Sequence, residues 1–297
     1  MATTSLSGRA AGRQPVQLPR PGRRARVPAL PMISPRLEPV PAEAVNGDGG
    51  SDVVVAPLLD LDPGLAGDLT PALREQVRGW LVVRVLTLPR GPWPTSVERE
   101  PGLMGFLVLD GILTRSVSLG KIAYPELLGR GDLLRPWHTE TDGRLGPVQV
   151  TWQVLEPCRV AVLDRRFAGI VGRWPEVVDE LLGRALNRAR ELDLNMAIAQ
   201  LPLLELRLLA LMWHLADRWG ETVPDGVKVP IRLTHSLLAA MVLGRRPSVS
   251  TTLTELSNRG LVSRVEDGWV LHGDPPTAMH KLSRRDSHGG GAARATD

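Results

Sequence analysis

Apolar residues at Val178, Leu182, Ala185, Ala189, Leu192, Met196 and Ala199 follow one another at alternating steps of four and three. That rhythm, held for three heptads, predicts a long helix with a seam for a second helix, and its alanines let the two approach closely. Further on, Leu237, Leu238, Met241 and Val242 recur at helical spacing behind Thr234, a residue suited to capping a helix start. Gly244 breaks that helix, two arginines follow, and Pro247 stands where a second helix begins. Val249, Leu253 and Leu256 at i, i+4 and i+7 form its inward face, which places Arg245, Arg246, Ser248, Ser250, Thr251 and Thr252 outside or at the rim. Residues 261–265, the turn Glu266-Asp267-Gly268 and residues 269–271 then predict a hairpin. The sum is a helix, a tight turn, a second helix and a two-stranded wing. Residues 203–219 predict one more apolar helix and 227–233 a strand, with Leu201-Pro202 as the hinge before them.

The earlier half has another period. Short apolar stretches broken by Gly and Pro occur at 81–86, 103–109, 112–119, 148–154 and 159–163, after a short helix near 71–77. Asp110-Gly111 reads as the turn of a hairpin joining 103–109 to 112–119. Many short strands in about a hundred residues predict a small antiparallel barrel or sandwich. Residues 1–50, rich in Pro, Arg, Gly and Ala, carry neither period and are expected to be disordered, as are residues 274–297.

Charge changes this picture locally. The net charge of +4 has a nucleic-acid look, but seven arginines against Glu38 in residues 1–40 account for it and leave the rest slightly acidic. That tail is either a loose solvated segment or a basic arm adding non-specific DNA affinity. More telling is the stretch from Leu233 to Arg264, with four arginines and one acid, Glu255. Two arginines before a helix that carries hydroxyls suit phosphates and base edges in a major groove. A winged helix can also bind protein instead of DNA, and that alternative stays open at this point.

Residues 233–262, with the LTHSLLAAMVL opening, the RRPSVSTTL helix start and the ELSNRGLV close, resemble the DNA-binding domain of the cyclic-AMP receptor protein and fumarate-nitrate regulator family without a gap. The resemblance covers about residues 100–273. Phe106-Leu107-Val108-Leu109-Asp110-Gly111 and Leu128-Gly129-Arg130-Gly131-Asp132 are similar to turns of that family's sensor roll. It implies an α+β protein: a cyclic-nucleotide-binding-like antiparallel β-roll at 51–172, a dimerisation helix at 173–200 and a winged helix-turn-helix at 201–273. It also implies a cytoplasmic, homodimeric transcriptional regulator that reads an approximately palindromic site on double-stranded DNA, with RNA polymerase as a further partner. Arg246 matches the family's base-reading arginine. Ser250 and Thr251 are the next base-edge candidates, and His235, Ser236, Arg245 and Ser248 are expected on phosphates, with Arg264 on the wing. Pro247 and Thr251 stand where most members carry a glutamate and a second arginine, so the target differs from the common half-site.

The nucleotide site departs from the family. Members that bind cyclic nucleotide carry a Gly-Glu pair after the Gly-Asp turn and later an arginine for the phosphate. Here Leu133-Leu134-Arg135-Pro136-Trp137 follows Gly131-Asp132, and the phosphate position falls on Val148, unless an inserted loop brings Arg144 or Arg135 into its place. Cyclic AMP is therefore not expected as the effector. Arg135, Trp137 and His138 line the equivalent region and suit an anion or a flat apolar molecule; alternatively Trp137 and Trp152 are core aromatics. Cys158 alone rules out an internal disulfide and the family's cysteine-rich iron–sulfur site, and it reads as a small buried hydrophobe. The six histidines, His214 among them as a structural residue, show no metal-ligand spacing. No acid pair, nucleophile with base or phosphate loop is present, so neither catalysis nor a cofactor is expected. No apolar run approaches a membrane span.

Overall fold

The computed structural model describes residues 54–93, 102–120, 122–136, 142–143 and 146–275. The two terminal segments read as disordered, together with Arg144, Trp137 and His138, lie outside the described residues.

An antiparallel sheet forms the first part. Its path runs β1 (Val54–Pro57), β2 (Val82–Leu88), β8 (Gly146–Leu163), β4 (Gly105–Leu119) and β5 (Ile122–Leu128). Three two-residue strands complete it: β3 (Gly91–Pro92) and β7 (Asp142–Gly143) on β8, and β6 (Leu133–Leu134) on β4. Short helices α1 (Leu58–Leu61) and α2 (Pro71–Trp80) lie between β1 and β2. Alternation along β4 and β8 sends Phe106, Val108, Trp152, Val154, Val160 and Val162 into one core with Trp93. Trp93 meets Phe106 and Trp152 edge-on, at 5.6 and 5.8 Å between ring centroids.

Two expectations fail here. Asp110-Gly111 does not reverse the chain: residues 105–119 are one strand, and residues 146–163 run through Glu156-Pro157 as one strand beside it. The pair instead sits in a bulged zone, where the β4–β8 register shifts between Val108 and Leu113. Gly111 has φ +81°, and a Cβ there would lie 2.2 Å from the Pro157 carbonyl oxygen. The Asp110 carboxylate accepts from the Arg159 backbone N–H at 3.0 Å and from its Nε at 2.6 Å, which holds the two bulged strands together. An Asp-Gly pair makes a hairpin only if no third strand accepts the bend, and here one does.

Helix α3 (Arg165–Val171), capped by the Asp164 carboxylate, leads into α4 (Pro175–Ala199), 25 residues long. One stripe of α4 faces its own chain: Val177, Leu181, Arg184, Arg188, Glu191, Asn195 and Ile198 are buried or half-buried. It runs one residue ahead of the heptad seam. Of the seam, Val178, Leu182, Ala185, Ala189 and Met196 are exposed, Leu192 is half-buried and Ala199 is buried. Beside the seam, the sequence also offers Leu181, Leu186 and Ile198 for packing against the roll; Leu181 and Ile198 are buried, whereas Leu186 belongs to neither stripe and is 51% exposed.

The last part holds α5 (Leu204–Trp219), β9 (Glu221–Val223), β10 (Gly226–Val229), α6 (His235–Met241), α7 (Arg246–Asn258), β11 (Val262–Val265) and β12 (Gly268–Leu271). The wing is larger than two strands, because β10 joins β12 and β9 joins β10 in a sheet ordered β11-β12-β10-β9. Its core takes in Ile112 and Leu127 from the roll and Ile198 from α4, so the two parts share buried apolar surface. An ion pair crosses the same boundary. Asp132, 4% exposed, accepts from the Gly129 N–H at 2.8 Å and from Arg218 Nη2 of α5 at 2.6 Å. Arg218 also stacks over the Trp219 ring at 4.5 Å. His214 is structural as expected, with Nε2 2.9 Å from Glu191 of α4.

Candidate nucleic-acid interface

Thr234 caps α6, its hydroxyl accepting from the Leu237 N–H at 3.1 Å. Between α6 and α7 the left-handed residue is Leu243, with φ +50°, and not Gly244. Gly244 is needed for closeness: a Cβ there would meet Leu204, Val249 and Val242 side chains at 3.1 to 3.4 Å. Val249, Leu253 and Leu256 anchor α7 in the core at 0, 3 and 0% exposure. Arg245, Arg246, Ser248, Thr251 and Ser236 are exposed. Among the described residues neither Arg245 nor Arg246 forms an ion pair, so both charges face solvent.

The hydroxyls of α7 are already committed. Ser250 Oγ donates to the Arg246 carbonyl at 3.0 Å, Thr251 Oγ1 to that of Pro247 at 3.2 Å, and Thr254 Oγ1 to that of Ser250 at 3.0 Å. Thr251 thus presents a methyl group and a lone pair outward. Ser250 is half-buried and also lies 2.8 Å from His235 Nδ1. The His235 ring stands 6.1 Å from that of Trp269, over which Arg264 of the wing stacks at 5.5 Å. Burial, then the charges of Arg264 and Arg246, holds the His235 imidazolium below the ordinary histidine range. The helices α6 and α7 and the wing therefore meet around one imidazole.

Arg135 lines a separate pocket of about 450 Å³ between roll and α4, together with Met104, Arg115, Leu133, Trp152, Ala185 and Arg188. Arg188 grips the buried carboxylate of Glu126 through Nε at 2.6 Å and Nη2 at 2.8 Å, and donates to the Leu133 carbonyl at 2.9 Å. Burial pulls the Arg115 guanidinium below its ordinary value. Trp152 is a core aromatic, 4% exposed, yet its indole N–H has no partner among the described residues. Arg115, Glu126 and Arg188 escaped the sequence reading, since each is one charged residue in an otherwise ordinary strand or helix. Val148 pairs with Leu119 at the far end of the sheet and does not line this pocket. Cys158 is fully buried, and burial pushes its thiol up to about 12. Among the described residues no His, Cys, Asp and Glu group can hold a metal ion, and no helix is long and apolar enough to cross a membrane.

The family model for the Crp-like helix-turn-helix domain matches residues 206–275. No curated protein matches this chain. Among solved structures, a cyclic nucleotide-binding domain containing protein from Listeria monocytogenes EGD-e is similar at 17% identity and a TM-score of 0.54, over 71% of this chain and 96% of that one. A CooA mutant from Carboxydothermus hydrogenoformans is similar at 20% identity and a TM-score of 0.51, over 76% of this chain and 94% of that one. At these identities the likenesses show the fold, a cyclic-nucleotide-binding-like roll followed by a helix-turn-helix. Residues 206–275 form a Crp-like helix-turn-helix domain, the architecture of a DNA-binding transcription regulator, behind a cyclic-nucleotide-binding-like roll.

Proposed function

We propose that this chain is a homodimeric regulator that reads an approximately palindromic DNA site, with Arg246 on a guanine edge, Thr251 beside it, and Arg245, Ser236, Ser248 and Arg264 on phosphates. The observation that carries this reading is the exposed pair Arg245 and Arg246 at the start of α7, without a carboxylate partner among the described residues, within a Crp-like helix-turn-helix. The exposed seam of α4, with Leu182 at 55% and Met196 at 45%, supports pairing with a second copy. Two-fold pairing puts two recognition helices about one DNA turn apart.

Ser250 contributes to this interface through His235 more than through a base edge, since its proton is spent on α7 itself. Cyclic AMP is not the effector in this reading: among the described residues no carboxylate lines the pocket to take a ribose hydroxyl, and the nearby Glu126 is held by Arg188. Arg115, Arg135, Arg188 and the Trp152 N–H, which has no partner among the described residues, suit an anionic effector instead. The protein acts in the cytoplasm, with RNA polymerase as a further partner.

The test is the salt dependence of binding to duplex DNA. Two cationic phosphate contacts per chain, Arg245 and Arg264, give a slope of log K against log salt of roughly −4 for a dimer. A salt-insensitive, sequence-blind interaction would show that the winged helix serves a protein partner.

A further inference from the structure

We propose that Ser250 is a positioning residue that fixes the tautomer of His235, so that this imidazole donates to a DNA phosphate only after taking up a second proton, and DNA binding is thereby linked to pH. The proposal rests on the reading of this face as the DNA interface.

The Ser250 hydroxyl has one proton and two neighbours. The Arg246 carbonyl oxygen, at 3.0 Å, only accepts. His235 Nδ1, at 2.8 Å, donates or accepts according to its tautomer. Both contacts are hydrogen bonds only if the hydroxyl donates to the carbonyl and Nδ1–H donates to Oγ. The opposite arrangement sets two acceptor oxygens against each other and loses one bond. Neutral His235 therefore carries its proton on Nδ1, and Nε2 bears a lone pair. A phosphate offers acceptors alone, so neutral His235 repels it. Protonation at Nε2 reverses the sign, because the imidazolium keeps Nδ1–H on Ser250 and gains a donor for the phosphate.

The charges around the ring keep that second proton off until DNA arrives. Arg246 faces it from α7 and Arg264 from β11; α6 carries no other ionisable side chain, and no carboxylate pairs with His235 among the described residues. Burial and these two arginines depress proton affinity in the free protein. A phosphate acts in the other direction. With the free-state value lowered and the bound-state value raised, binding takes up a proton. Affinity then rises as pH falls through the bound-state value and levels off below the free-state one.

The experiment is fluorescence anisotropy of the full chain on a duplex it binds, from about pH 5.5 to about pH 8.5 at constant ionic strength. Wild type is compared with His235→Gln and Ser250→Ala. Wild-type affinity should rise toward acid by up to about tenfold per pH unit for each bound histidine. His235→Gln should lose that slope. Ser250→Ala frees the neutral ring to carry its proton on Nε2, so its slope should fall to less than half while its affinity at about pH 8 exceeds that of wild type. Nitrogen-15 spectra of free wild type should show the Nδ1–H tautomer, and an Nε2–H tautomer would overturn the proposal without any DNA present. A flat wild-type profile, or a full slope in Ser250→Ala, overturns the linkage while leaving DNA binding intact. Failure to bind any duplex at any pH overturns the DNA reading and this proposal with it.

Discussion

Replacing Arg218 with Met removes the guanidinium that joins the end of α5 to the roll and leaves the Asp132 carboxylate, whose side chain is 5% exposed, with only the Gly129 N–H. Breaking a buried ion pair by deleting one partner costs about 3–5 kcal/mol. Arg218 keeps 26% of its side chain in contact with solvent, which places the loss at the lower end, about 3 kcal/mol. The lost stacking on Trp219 adds about 0.5–1 kcal/mol. Burial already pushes the Asp132 carboxyl up, against the pull of Arg218. Without Arg218 it rises further, so the deficit of the variant is full at neutral pH and shrinks as acid protonates the group. Urea unfolding followed by tryptophan fluorescence reads both effects. Adding Asp132→Asn to Arg218→Met should recover more than half of the loss, because a neutral amide is cheaper to bury than an unpaired charge. A loss under about 1 kcal/mol, or a double variant no more stable than the single one, would refute the view that this pair holds α5 against the roll.

Leu243 is left-handed and 48% exposed, so Leu243→Gly relieves about 1 kcal/mol of backbone strain, forfeits little burial, and should raise the midpoint of thermal unfolding by a degree or two. A lowered midpoint would mean that Leu243 is held by packing. Arg245→Ala should weaken binding to all duplexes about equally and reduce the salt slope by about 2 for a dimer, measured by anisotropy across salt; an unchanged slope would remove Arg245 from the phosphate contacts.

What was legible in the sequence follows the range of the forces involved. Local periodicity sufficed for α7, where Val249, Leu253 and Leu256 are each within one or two turns of the next, and for the length of α4. On the stripe of α4 that faces the roll, Leu181 and Ile198 could be read as inward, but Arg184 and Arg188 between them could not, because they are buried only by pairing with Asp62 and Glu126, far away in sequence. Asp110-Gly111 misled for the same reason, since the strand that keeps it from turning back lies over forty residues on. On the recognition helix, spacing sends Ser250 outward, but a histidine fifteen residues earlier claims its hydroxyl. The order of elements and the exposed arginines could be read from the chain; the partners of buried polar groups could not, because long-range contacts choose them.

The central claim is tested most directly by selecting sites from a pool of random duplexes at near-physiological salt, with wild type and with Arg246→Ala. Wild type should enrich an approximate palindrome with half-sites about one helical turn apart, and Arg246→Ala should lose the preference at one guanine per half-site, worth roughly 1–3 kcal/mol. Selections that yield no motif for wild type, or the same motif with the same strength for both proteins, would contradict it.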